Sequence, residues 1–200
     1  MTSEFIVYLR LGFGHIADVG ALDHILFVIA LAAGYGLTHW RHLLILVTAF
    51  TVGHSITLAL ATLRLVSVSS ALVELLIPLT ILATAVFDLI EVGVSDAQVD
   101  LPVRMQRTKY GLALAFGLIH GLGFSTFLRA ILGAEESILQ PLLAFNVGLE
   151  VGQIVILGAT LAVSHVVIDG VGMRSRLWTI ILSGVVSLAA LVLLAGRIAV

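Results

Sequence analysis

Long runs of apolar residues, interrupted by few polar positions, dominate this chain. A helix rises about 1.5 Å per residue, so about 20 apolar residues cross the roughly 30 Å hydrocarbon core of a bilayer. The apolar runs predict six membrane-spanning helices joined by short loops. These helices cover residues 16–37, 43–63, 71–94, 110–132, 138–167 and 177–199. A short segment before them, residues 3–11, is expected to lie along the membrane interface.

Composition agrees with this pattern and excludes several classes of protein. Of the 200 residues, 60% are hydrophobic and 11% are charged, whereas an ordinary soluble domain has about 25% charged residues. The chain is therefore predicted to be an all-α integral membrane protein that forms a single transmembrane bundle over residues 1–200. A net charge of -2 provides no basic face for nucleic acid, and the absence of cysteine excludes disulfides and thiolate metal sites. Membrane lipid is the expected surrounding, and a homo-oligomer is left open.

Basic residues in the loops predict the orientation of the bundle. Six lie in the loops that follow the first, third and fifth spans, and four lie on the opposite side. One of the six is Lys109, at the end of a loop predicted over residues 95–109. This difference predicts a multi-pass protein of the bacterial inner membrane with both termini outside. The first residues lack the basic start that is typical of a signal peptide.

Two short segments indicate an internal repeat. Residues 49–54, AFTVGH, resemble residues 144–148, AFNVG. Repeats of three spans each would have opposite orientations in the membrane. Inverted repeats place ion sites near the midplane, between the two halves. The predicted six-helix bundle is therefore also compatible with two inverted three-helix repeats.

Ionisable and polar side chains inside the apolar runs are the strongest functional signal. A charge at the centre of a membrane helix costs about 2.5–3.5 kcal/mol on insertion scales, so it needs a partner side chain, a proton, water or a bound cation. The residues predicted to bind a metal ion are Asp23, His24, His54, His120 and Glu150. Secondary candidates, for which a structural role is the alternative, are His15, Asp18, Asp88, Asn146 and Gln153.

The positions of these residues support the assignment. His54 and His120 are central in their spans, and the glycines around His120 let a neighbouring helix approach closely. Asn146, Glu150 and Gln153 form one polar stripe along a helix, at i, i+4 and i+7. Glycines 12, 14 and 20 would allow the start of the first span to bend or break, which is one way to build an ion site at depth.

Imidazole nitrogen combined with carboxylate oxygen, without sulfur, is the donor set that best suits Ni²⁺, Co²⁺ and Zn²⁺. A divalent-cation transporter is the favoured function. An intramembrane zinc hydrolase, with three protein ligands and an open position for water, is the alternative enzyme. A metal sensor or structural subunit that binds without transport also fits, as does a purely structural network of histidine and carboxylate.

Four segments resemble the HupE/UreJ family of bacterial membrane proteins. They are residues 14–27, 50–58, 116–124 and 145–153. Members are associated with hydrogenase and urease maturation and are regarded as nickel or cobalt permeases. The resemblance implies such a role here, with the matching motif residues as the cation site. The wider nickel and cobalt permeases carry histidine, four residues and then Asp-His, whereas here Asp18 stands in the leading position before Asp23 and His24.

Overall fold

The computed structural model describes residues 2–94, 103–132 and 138–198, and all regular structure in these ranges is helical. The helices are α1 (Thr2–Ile16), α2 (Asp23–Ala32), α3 (Trp40–Thr62), α4 (Ser70–Val94), α5 (Val103–Gly123), α6 (Ser125–Leu132), α7 (Leu139–His165) and α8 (Ser175–Ile198). A 3-10 turn precedes α3, and a π-helical turn follows α7. The predicted all-α class is confirmed.

Four of the described helices are long and apolar enough to cross a membrane, namely α3, α4, α7 and α8. Helices α5 and α6 meet the same criterion together, as one span bent by 49°. The described part of the chain therefore has four or five candidate spans. The six-span count is not confirmed.

The predicted first span, residues 16–37, is not one continuous helix. Helix α1 ends at Ile16, residues 17–22 are non-helical, and α2 has only ten residues. In the linker, the Gly20 amide donates a hydrogen bond of 2.8 Å to Oδ1 of Asp18. A bond of this kind offers the backbone a turn in place of the helix. The break places His15 and His24 on two separate helices.

Two pairs of helices pack backbone to backbone through glycine. A side chain added at Gly12 of α1 or at Gly148 of α7 would overlap the backbone of the other helix. Gly53 of α3 and Gly117 of α5 meet in the same way. Small residues permit this close approach between membrane helices. The segment predicted to lie along the membrane interface is therefore part of a helix that packs against α7.

These glycine contacts also define the direction of the packed helices. Gly117 meets the backbone of Phe50 and His54, and Gly121 one turn later meets His54 and Thr57. Because the contacts advance along both helices together, α3 and α5 run parallel. The contacts of Gly148 and Gly152 show the same for α1 and α7. The similar use of glycine in α3 and α7 agrees with the sequence likeness between them, while two inverted three-helix repeats stay a prediction.

Lys109 is not a loop residue. It lies inside α5 and its side chain is 8% exposed. Because its side chain is buried, Lys109 does not count among the basic residues at the membrane surface, so the charge difference that predicts the orientation is smaller than the sequence indicated. Arg104 and Arg107 of the predicted loop also belong to α5. Residues 95–102 of the predicted loop lie outside the described residues. The orientation of the termini stays a prediction.

Candidate metal centre

Three histidines from three helices meet inside the bundle. His15 lies near the end of α1, His24 at the start of α2 and His54 in α3. Each offers one ring nitrogen, and these nitrogens lie within 4.8 Å of one another. Among the residues that the structure describes, this is the one set of three or more histidine, aspartate or glutamate side chains close enough to share an ion. We refer to His15, His24 and His54 as the histidine group.

The nitrogens of the histidine group are buried and lack protein hydrogen-bond partners. This holds for Nε2 of His15, for Nε2 of His24 and for both ring nitrogens of His54. Leaving a buried polar atom unpaired costs about 1–3 kcal/mol, so native structures normally provide a partner. The imidazole nitrogen lone pair is a common ligand of transition metals. The donor set therefore fits a divalent cation.

His120 of α5 lies beside the histidine group, with its ring centroid 5.0 Å from that of His24. Its Nε2 is 3.0 Å from Oγ1 of Thr80. Because the Thr80 hydroxyl donates its own hydrogen to the Ile77 carbonyl, at 2.7 Å, the pattern of donors assigns the proton of this bond to Nε2 of His120. Its Nδ1 then carries a lone pair and is buried without a partner. His120 can serve as a further nitrogen donor next to His24.

Aromatic rings enclose the four imidazoles. They belong to Phe27, Phe50, Phe124 and Phe145. The centroids of these rings lie between 4.0 and 6.3 Å from those of the imidazoles. This shell excludes water from most of the site. It also contributes no negative charge, so two positive charges of a bound cation would face neutral ligands and apolar walls.

An open cavity leads from the molecular surface to His15. It has a volume of about 450 Å³ and lies between α1 and α6. Asp18 and Arg10 line its polar side, and Phe127 lines its apolar side. The Asp18 carboxylate is exposed in this cavity. The Arg10 guanidinium and the Asp18 carboxylate carry opposite charges, so the cavity has no net charge from these two groups, and it exposes His15 to the molecular surface.

Asp23, predicted to bind metal together with His24, lies outside the histidine group. It is half-buried, and among the charges that act on it are those of Arg197 and Glu74. Those two residues form an ion pair with a distance of 3.0 Å between Nη1 and Oε2. Neighbouring residues on a helix point about 100° apart, which is why His24 and Asp23 face different surroundings. A role of Asp23 in metal binding stays a prediction.

The polar stripe of α7 faces threonines of α3. The Thr48 hydroxyl donates a hydrogen bond of 2.6 Å to Glu150, and the Thr51 hydroxyl donates one of 2.7 Å to Gln153. Gln153 is fully buried and Glu150 is half-buried. Asn146 has a buried Oδ1 without a partner. All three lie outside the histidine group, so their predicted part in metal binding remains untested.

Asp88 belongs to a different cluster, which we call the lysine cluster and define as Asp88, Glu91 and Lys109. The Lys109 ammonium lies 3.1 Å from Oδ1 of Asp88 and 2.5 Å from Oε2 of Glu91. The secondary candidate Asp88 is therefore paired with a cation of the protein itself. Sequence reasoning missed this partner, although Lys109 is the only lysine in the sequence and adjoins an apolar run.

The structure also raises His15 from a secondary candidate to a member of the histidine group. His15 and His24 are nine residues apart, a spacing that places them on different faces of a continuous helix. Only the break between α1 and α2 brings their rings to a centroid distance of 4.5 Å. In the sequence, Gly12, Gly14 and Gly20 around His15 were the signal that indicated a break in the helix.

Comparison with known proteins identifies the family of this chain. A family model of the HupE / UreJ protein matches residues 1–196. No match was found among curated proteins or among solved structures. The apolar helices and the family together indicate a multi-pass membrane protein, and the family implies an accessory or transport role related to nickel or cobalt. The match extends the resemblance of four short segments to nearly the whole sequence, and the chain belongs to the HupE/UreJ family.

Proposed function

We propose that this protein transports divalent transition-metal cations of the nickel, cobalt or zinc type across the bacterial inner membrane. The histidine group is the binding site within the membrane. The observation that carries the proposal is the meeting of three imidazoles from three helices, each with one ring nitrogen within 4.8 Å of the others. Nε2 of His15, Nε2 of His24 and both ring nitrogens of His54 are buried without a protein partner. The family's relation to nickel and cobalt supports the same function.

The backbone around the histidine group supports transport. His15 lies in the last turn of α1 and His24 in the first turn of α2, so the site lies at an interruption of helical structure. Membrane transporters commonly place ion sites at such interruptions, where non-helical backbone lines a cavity. The cavity between α1 and α6 reaches His15 directly. A cation therefore has an entry route on one side of the site.

The spacing of the nitrogens indicates a site that closes around its cation. A tetrahedral metal bound at about 2.1 Å needs ligand nitrogens roughly 3.4 Å apart. The nitrogens of the histidine group lie within 4.8 Å of one another. A change of side-chain rotamer or a small movement of α1 against α2 would bring them to binding distance. The linker at residues 17–22 provides the freedom for that movement.

The charge of the site favours release over permanent retention. Neutral imidazoles in an aromatic shell leave the two charges of a divalent cation uncompensated, and fewer charged ligands give weaker binding in ion sites generally. Conduction requires binding strong enough for entry and weak enough for exit. Three neutral nitrogen ligands are consistent with a site that holds a cation and then releases it.

Uptake into proteoliposomes tests this function. Purified full-length protein is reconstituted, and accumulation of radioactive Co²⁺ is measured for the wild type and for the double variant His24→Ala, His54→Ala. Both substitutions remove nitrogens of the histidine group, so uptake is expected to fall to the level of protein-free vesicles. The matched control is His39→Ala, His165→Ala, which removes two histidines outside the group and should retain uptake.

Other outcomes of this experiment would contradict transport through the histidine group. Uptake that survives the double substitution would show that the cation takes another path. Tight Co²⁺ binding without uptake by any variant would indicate a sensor or a structural subunit. Both double variants must reconstitute in equal amounts, which is checked by quantifying protein in the vesicles.

Zinc-dependent hydrolysis is the second candidate function, and one observation favours it. Three histidines beside an open cavity match the arrangement of catalytic zinc sites, which keep one position for water. Among the described residues, however, no carboxylate joins the histidine group to act as a general base. Chelator-sensitive cleavage of a lipid or peptide substrate, in vesicles that accumulate no Co²⁺, would favour the hydrolase.

A further inference from the structure

Polar side chains lie on the outer surface of the bundle, where α3 and α7 meet. The Thr48 hydroxyl donates its 2.6 Å hydrogen bond to Oε1 of Glu150 at this surface. Thr48 is exposed and Glu150 is half-buried. The side chains around this pair on both helices are exposed and apolar. We call this surface the outer patch and define it as Ile45, Thr48, Val52, Val147, Glu150 and Ile154.

The outer patch lies at the depth of the hydrocarbon core of a bilayer. Glu150 is 11 residues from the first residue of α7 and 15 from the last, or about 16 Å and 22 Å along the helix axis. Thr48 is eight residues, or about 12 Å, from the start of α3. Both helices are candidate membrane spans. The accessible part of the Glu150 side chain therefore faces whatever surrounds the protein within the membrane.

The polar groups of this surface have hydrogen-bonding capacity that the chain itself does not use. Among the hydrogen bonds and ion pairs of the described residues, none involves Oε2 of Glu150. Asn146, one turn earlier on α7, is half-buried, and its Oδ1 is buried without a partner. Acyl chains supply neither donors nor acceptors, so an acidic side chain that faces lipid at this depth is costly. We therefore expect a partner with polar groups to cover the outer patch.

Asn146 and Glu150 make this surface complementary to itself. The amide nitrogen of asparagine donates hydrogen bonds, and the carboxylate accepts them. A twofold axis along the membrane normal brings the same residues of two copies together at the same depth. The amide of one copy can then reach the carboxylate of the other, and the reverse contact follows by symmetry. A second copy of the chain thus supplies the polar groups that lipid lacks.

We propose that a second copy of this chain packs against the outer patch, so that the protein is a homodimer in the membrane. Hydrogen bonds between polar side chains hold membrane helices together, and Asn146 and Glu150 supply them at the centre of the interface. The surrounding isoleucine and valine side chains are stiff and lose little freedom when they pack. The proposal concerns assembly and does not depend on the proposed transport function.

The outer face of α8 provides a comparison within the same molecule. The exposed residues in the middle of this helix include Ile181, Val185, Leu188 and Val192, all of them apolar. Lipid tails are as apolar as these side chains, so lipid covers such a face without loss. The two faces are similarly exposed and differ in polar content. The second copy should therefore prefer the outer patch to the face of α8.

Cross-linking between single cysteines tests the position of the second copy. Because the chain has no cysteine, one introduced thiol reports on one position. Val52→Cys and Ile154→Cys label the outer patch, and Val185→Cys and Val192→Cys are the matched controls on α8. Each variant is reconstituted in vesicles with and without EDTA and treated with a short bifunctional thiol reagent. The first two variants should give several-fold more covalent dimer than the controls, with or without EDTA.

Substitution of Glu150 tests the polar contact. In the Val52→Cys background, Glu150→Val removes the acceptor and should lower the dimer yield several-fold. Glu150→Gln retains an acceptor oxygen and should retain most of the dimer, and Leu188→Val on α8 should leave the yield unchanged. Circular dichroism checks that each variant is folded. If Glu150→Val does not fold, the comparison of cysteine positions in the otherwise wild-type chain still decides.

Several results would overturn the proposal. Equal dimer yields at all four cysteine positions would indicate random collision, and a yield higher at Val185 and Val192 would place the contact on α8. Loss of the dimer in EDTA would indicate a bridging cation in place of hydrogen bonds between the copies. A monomer that retains phospholipid in native mass spectrometry would show that lipid covers the outer patch. None of these measurements uses cation uptake, so they are independent of the test of transport.

Discussion

The histidine group and the lysine cluster bury polar atoms in the same bundle by opposite means. In the histidine group the buried nitrogens belong to imidazoles enclosed by phenylalanine rings, and their lone pairs have no protein partner. In the lysine cluster the buried atoms are charged, and an ammonium holds the carboxylates. The histidine group has lone pairs that can bind a cation from outside the protein. The carboxylates of the lysine cluster are already paired with the ammonium of Lys109.

This difference predicts different consequences of mutation. Removing an imidazole leaves no unpaired charge behind, so metal binding should suffer more than folding. Removing the ammonium takes away the cation that pairs with two buried carboxylates, so folding should suffer first. Each of the following substitutions tests one side of this contrast, and the expected effects decrease from the first to the last.

Lys109→Met should lower the free energy of unfolding by about 3–5 kcal/mol, the usual cost of breaking a buried ion pair by removing one partner. Unfolding of the purified protein in mixed micelles, followed by circular dichroism, measures the change. The triple variant with Asp88→Asn and Glu91→Gln should recover most of the loss, because it also removes the two carboxylate charges that the ammonium had paired. If Lys109→Met were as stable as the wild type, the proposed difference between the histidine group and the lysine cluster would be wrong.

His15→Ala should show the reverse pattern, with a large loss of metal binding and a small loss of stability. We expect Co²⁺ affinity to fall by about 100-fold or more, above the 10–100-fold typical for losing an outer partner of a metal ligand. Isothermal titration of the purified protein measures the affinity. His165→Ala is the matched control, because His165 is exposed and its ring bonds Asp169. Equal affinities in the two variants would exclude His15 as a ligand.

Gly53→Ala should weaken both stability and Co²⁺ binding, because its new methyl group would overlap the Leu114 carbonyl of α5. Overpacking of this kind costs about 1–3 kcal/mol, and separation of α3 from α5 would displace His54. Gly111→Ala is the control in α5, since nothing lies within 4 Å of the added atom. It should be neutral or slightly stabilising, since alanine is the better helix former. Unfolding curves of the two variants should therefore shift in different directions or by clearly different amounts.

Thr80→Val should have the smallest effect, a decrease in Co²⁺ affinity of about tenfold, as is typical when an outer-shell partner is lost. The substitution removes the oxygen that accepts the hydrogen bond from Nε2 of His120. Thr84→Val is the control, because the Thr84 hydroxyl bonds only the backbone of its own helix among the contacts described, at 2.8 Å from the Thr80 carbonyl. Equal affinities for both variants would show that the orientation of His120 has no part in binding.

Much of the fold was predictable because membrane helices follow from local hydrophobicity. The predicted spans at residues 43–63, 71–94, 138–167 and 177–199 correspond to α3, α4, α7 and α8, all confirmed as long apolar helices. The predicted first and fourth spans, residues 16–37 and 110–132, are not single straight helices. The hydrogen bond at Asp18 accompanies the break after α1, and α5 and α6 meet at a 49° bend. Hydropathy averaged over a window does not detect such local interruptions.

The sequence by itself determined the class of the protein, its family and the kinds of side chain available for chemistry, since these depend on composition and local order. It identified His24 and His54 as candidates, and the structure places both in the histidine group. Only the tertiary structure decided that His15 joins them, that Asp23 and Glu150 lie apart, and that Lys109 faces Asp88 and Glu91. These outcomes depend on how separate helices pack and rotate against one another, a property of contacts between residues far apart in the chain.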